Sequence, residues 1–155
     1  MKNILYQNSS NELMQARECQ SQIARQELEI QLLDINNRYL HDGNNRFSYI
    51  LQKQNIELKI KTLKESRNSH IYNAIRYAMQ LAEIEINQNA SYSMAAIAIN
   101  SINSFSVLRD IKEYFMVPYD LREKILQAYN KLSFSTSFNS FLLTEIANLK
   151  RLCHI

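Results

Sequence analysis

A chain of 155 residues with one glycine, one proline, 46% hydrophobic residues and 10% aromatic ones is neither wholly disordered nor built around a sheet. Strand connections draw on glycine and proline, and disordered chains lack that much apolar side chain. The net charge of +3 comes from 18 basic and 15 acidic residues interleaved along the chain, with no basic arm of the kind that grips nucleic acid or an anionic membrane.

The first residues, Met1 to Asn8, hold no apolar run long enough for a secretory signal, and the longest small-apolar run, 94–99, is too short to span a bilayer. The two cysteines, Cys19 and Cys153, sit near opposite ends without a pairing motif and fit a reducing compartment. The expectation is a cytoplasmic protein with no membrane span.

Ser9 with Glu12 three residues later is a capping-box pattern and predicts a first helix from near Ser10. In it Leu13, Ala16, Ile23, Ile30 and Leu33 mark one apolar stripe, and Leu28, Leu32, Ile35 and Tyr39 a neighbouring one, together a broad apolar face. The run His41, Asp42, Gly43, Asn44, Asn45 predicts the stop, with Gly43 as the C-cap and an asparagine capping the next helix. So short a connection makes the two helices antiparallel neighbours.

The stretch 45–86 contains neither glycine nor proline and predicts one long helix. Steps of four and three from Ile56 give Ile60, Leu63, Arg67, His70, Ala74, Tyr77, Leu81 and Ile84, a heptad register that lets one helix run along another. Past His70 the apolar face widens, as Ile71, Ile75, Ala78, Met79, Ala82 and Ile86 join it. A narrow stripe suits a two-helix contact and a wide one a helix among several, so a stalk is predicted first and a bundle after it.

The polar run 87–91 predicts a break, followed by a third helix to about Met116 that carries Met94, Ile97, Ala98, Ile102, Phe105, Leu108 and Ile111. Pro118 ends it, Asp120 with Glu123 opens a fourth helix, and a last one follows from about Ser137. The predicted fold is all-α, about five helices in a single domain over 1–155. A long antiparallel, coiled-coil-like hairpin stalk (10–66) leads into a C-terminal helical bundle (67–155).

Residues that could carry chemistry are sparse. His41, His70 and His154 are scattered, neither cysteine lies at ligand spacing from them, and no Glu-x-x-His element is present, so no metal is expected. A single glycine rules out a glycine-rich phosphate loop. Catalytic residues and cofactors are therefore expected to be absent, and the chain is not expected to be an enzyme. Arg67, His70, Asn73 and Arg76 form a polar file, read either as an anion or proton site or, more economically, as residues that fix register in a helical seam.

Two uses of the surface follow. The first is protein–protein contact, as an adaptor, chaperone or assembly subunit with a protein partner or as a homo-oligomer. Its expected interface residues are Leu28, Leu32, Ile35, Tyr39, Tyr49, Ile56, Ile60 and Leu63, some of which must pair within the hairpin. The alternative is nucleic-acid binding or regulation through the basic face around Lys53 to Arg76, carried by Lys53, Lys59, Lys61, Lys64 and Arg67. Against it, lysines on a long helix ordinarily solvate an exposed face. No stretch carries the motif of a named family.

Overall fold

The computed structural model describes residues 1–39, 43–88 and 93–104, with Glu123, Gln127 and Ala147 as single helical positions. The described residues contain helix and no strand. The described residues form, in chain order, α1 (Lys2–Asn37), α2 (Gly43–Asn87) and α3 (Ser93–Asn103). Apart from the single positions 123, 127 and 147, the expected fourth and last helices, and the third beyond Ser104, lie outside the described residues. By its internal packing the chain divides into two units. One is Gln15–Arg67; the other comprises Met1–Met14 and the described residues from Asn68 on.

The start of α1 differs from the expectation. The helix begins at Lys2 rather than near Ser10, because the capping-box residues are engaged in tertiary contacts instead. Ser9, fully buried, donates its hydroxyl to the Ala74 carbonyl at 3.1 Å, and Glu12 Oε2 lies 2.6 Å from His70 Nδ1. Gly43 likewise does not cap α1. The last turn of α1 closes earlier, through bonds from the Arg38 and Tyr39 amides to the Ile35 and Asn36 carbonyls, and Gly43 is the first residue of α2. Its backbone is outside the left-handed region and a Cβ there would meet open space.

In the unit Gln15–Arg67, α1 and α2 pack side by side. Cys19 and Gln20 of α1 meet Ser66 and Arg67 of α2 at one end, and Asp34 meets Lys53 at the other, so the segments run antiparallel. The seam is Ile23, Ile56 and Ile60, with Ile30, Leu33 and Leu63 packed against them. The heptad register read from Ile56 is buried or half-buried at every step to Ile84.

The second unit has the wider core. Ile71, Ala74, Ile75, Ala78, Met79, Leu81 and Ala82 of α2 are buried, as is Leu13 of α1. From α3 the buried residues are Ala95, Ala96, Ala98, Ile99 and Ile102, the three alanines allowing close backbone approach, whereas Ile97, expected in this face, is exposed. At about 100° per residue, position 97 points away from the side that carries 95, 98, 99 and 102.

Glu85 fixes the start of α3. Its carboxylate is 1% exposed and its Oε2 accepts the Ala95 amide at 3.1 Å, meeting an unpaired N–H of the first helical turn. Burial pushes its pKa above 4.5; the bonds from the Ala95 and Met94 amides and the charge of Lys2 pull the other way without cancelling the rise. The folded chain thus holds this proton more tightly than the unfolded one. The group's contribution to stability is full below pH 4.5 and is lost as pH rises through the shifted value. Glu85→Gln keeps the acceptor and removes the buried charge. It is expected to gain stability relative to the unsubstituted protein between pH 4 and pH 7, read from thermal unfolding at the two pH values; a relative loss over that interval would contradict the burial effect.

Candidate interaction surface

At 3.6 residues per turn, Leu28, Leu32 and Ile35 lie about 180° around α1 from the seam residues Ile23, Ile30 and Leu33, and Tyr39 follows in the turn past the helix end. The two stripes expected to merge into one broad face are therefore opposed. The first is closed inside the hairpin; the second is exposed, at 56% for Leu28, 53% for Leu32, 48% for Ile35 and 78% for Tyr39. The helix turns one apolar side to α2 and the other to solvent.

The expected interface set divides evenly. Leu28, Leu32, Ile35 and Tyr39 form one exposed file at spacing four, three, four. Ile56 and Ile60 are buried in the hairpin seam, Leu63 packs against them, and Tyr49 is half-buried. The second group contributes to the contact between α1 and α2.

Tyr49 has a further role near the turn. Its hydroxyl donates to Asp34 Oδ1 at 2.5 Å, and Lys53 Nζ donates to the same oxygen at 2.9 Å while lying 5.7 Å from the Tyr49 ring centre. The Tyr49 and Lys53 hydrogen bonds hold the Asp34 carboxyl below its usual range, and the Asp34 bond raises the Lys53 ammonium above its own. This cluster joins α1 to α2.

The basic face is depleted by the same packing. Lys53 is paired with Asp34, and Arg67 is 1% exposed, its Nη1 donating to Gln20 Oε1 at 2.7 Å. Lys59 and Lys61 are exposed and Lys64 is half-buried. Of five expected nucleic-acid contacts, two are exposed cations. Lys59 lines an open groove of ≈ 570 Å³ with Gln22, Arg25, Gln26, Leu58, Thr62 and Leu63.

The polar file on α2 meets polar partners from α1: Arg67 meets Gln20, and His70 meets Glu12. Arg76 is exposed and lies over the Tyr77 ring at 5.2 Å. These pairings favour the register-fixing reading, since polar seam positions satisfied across a helix pair select one alignment. Among the described residues no group of three or more histidine, cysteine, aspartate or glutamate side chains is placed to hold a metal ion, and no helix is long and apolar enough to cross a membrane.

A second exposed apolar file was not legible beforehand. On α2, Phe47, Leu51 and Leu58 are exposed, at 68%, 49% and 63%, with Gln54 in the slot between Leu51 and Leu58. Their spacing repeats that of the α1 file, but the glutamine breaks the apolar run that would have flagged it.

Comparison of the chain with protein-family models, with curated proteins and with solved structures yields no match.

Proposed function

We propose that this chain is a non-enzymatic interaction protein that works in the cytoplasm as an adaptor, chaperone or assembly subunit. Its architecture, in this reading, is a coiled-coil-like hairpin leading into a bundle, about five helices in all. The observation that carries the proposal is the exposed file Leu28, Leu32 and Ile35 on the side of α1 opposite its own seam, continued by the exposed Tyr39 in the turn past the helix end. Four large apolar side chains at heptad spacing are more than scattered surface hydrophobics, and heptad spacing is how one helix recognises another. Tyr39 adds an amphipathic ring of the type enriched at interfaces.

The test is site-specific photo-cross-linking in the full-length protein, with the reactive residue at Leu32 or Ile35 and, as a control, at the exposed polar position Glu57. The reading expects protein adducts from positions 32 and 35 well above those from 57. Equal yields at all three positions would contradict it.

A further inference from the structure

We infer that the occupant of the α1 file is the same file of a second copy, running antiparallel about a two-fold axis. This rests on the assembly reading above and specifies its partner. The spacing four, three, four reads the same in both directions, so a two-fold axis between positions 32 and 35 sets apolar layer against apolar layer. Leu32 meets the partner's Ile35 within the paired helices, and Leu28 meets the partner's Tyr39 in the turn that follows its α1.

Charge selects the direction. In the antiparallel pair the flanking positions set Glu29 beside the partner's Asn36 and Arg38 beside the partner's Gln31, so no like charges meet. A parallel pair would set Arg25, the next position of the same register before Leu28, against the partner's Arg25. The α2 file is the poorer receptor, because docking there buries the Gln54 amide in an apolar layer without a partner. At roughly 100 Å² for each half-exposed side chain, the file offers about 400 Å² per copy, half the roughly 800 Å² per partner of a standard interface. The dimer is accordingly weak and reversible.

The experiment is sedimentation equilibrium of the full-length protein from about 5 µM to 1 mM, a range that brackets weak association. Two variants are compared with it, Leu32→Ser/Ile35→Ser and Phe47→Ser/Leu51→Ser, their folding checked by the far-ultraviolet helical signal. All four positions are exposed on their own chain, so the fold is expected to survive. The proposal expects the unsubstituted chain and the α2-file variant to dimerise alike, and the α1-file variant to remain monomeric throughout. If both variants are monomeric alone but pair when mixed, the contact runs from α1 to α2; the assembly reading then stands and this proposal is overturned. A monomer at every concentration for the unsubstituted chain overturns the proposal and leaves the cross-linking result to decide the broader reading.

Direction is read separately, by disulfide formation in a Cys19→Ser/Cys153→Ser background. Copies with Leu28→Cys mixed with copies with Tyr39→Cys are expected to form mixed disulfides in preference to like-with-like ones; the opposite preference means a parallel pair.

Discussion

Ile23→Ala is expected to lower the unfolding free energy by about 2–5 kcal/mol, the range for shortening a buried isoleucine where the neighbours collapse only partly into the space. Ile23 is 1% exposed and its partners Ile56 and Ile60 come from the other helix, so the lost contacts are those that join α1 to α2. Leu28→Ala, five residues along the same helix, removes a side chain that faces solvent and is expected to move stability by less than about 0.5 kcal/mol. Urea unfolding followed by helical signal checks both. Equal effects would mean that the two sides of α1 are not distinguished by packing as described.

Arg67→Ala is expected to cost about 2–5 kcal/mol, because it opens a cavity where a large buried side chain stood and takes the donor from Gln20. Arg67→Met separates these effects. It restores most of the volume and removes a charge whose desolvation opposes folding, so it is expected to recover most of the loss. Gln20 is only half-buried, and its freed amide can turn to water. If methionine is as damaging as alanine, the hydrogen bonds of the guanidinium outweigh its volume, and Arg67 is held for its polar contacts. Either way the residue is a seam component, since a side chain this buried cannot reach a phosphate backbone.

These two expectations show where the sequence was legible. The long helix and its heptad register could be read directly, because 45–86 contains no breaker and the apolar residues recur without interruption from Ile56 to Leu63. The polar members of that register were readable as seam positions, but their partners Gln20 and Glu12 lie 47 and 58 residues away, and spacing along one helix says nothing of them.

On α1 the pairs Leu28 and Ile30, and Leu32 and Leu33, sit close in sequence and suggest one wide face. Only the packing of Ile23, Ile30 and Leu33 against α2 shows that Leu28 and Leu32 are turned away. The same limit explains Ser9 and Glu12. Their spacing is that of a helix cap, yet the residues before them continue the helix, and both side chains serve contacts with α2.

The interface residues show this most clearly. Tyr49, Ile56, Ile60 and Leu63 and the file Leu28, Leu32, Ile35 and Tyr39 look alike in the sequence, all apolar or aromatic at heptad spacing. The fold separates them by giving the first set partners between the helices of the hairpin and leaving the second exposed.

The most direct measurement is the absolute mass of the purified full-length protein by light scattering across a concentration series. Self-assembly through the outer face of α1 predicts a mass that rises with concentration from that of one chain, 18.2 kDa, towards twice that value. A mass fixed at one chain up to the highest concentration would contradict self-assembly through the outer face of α1.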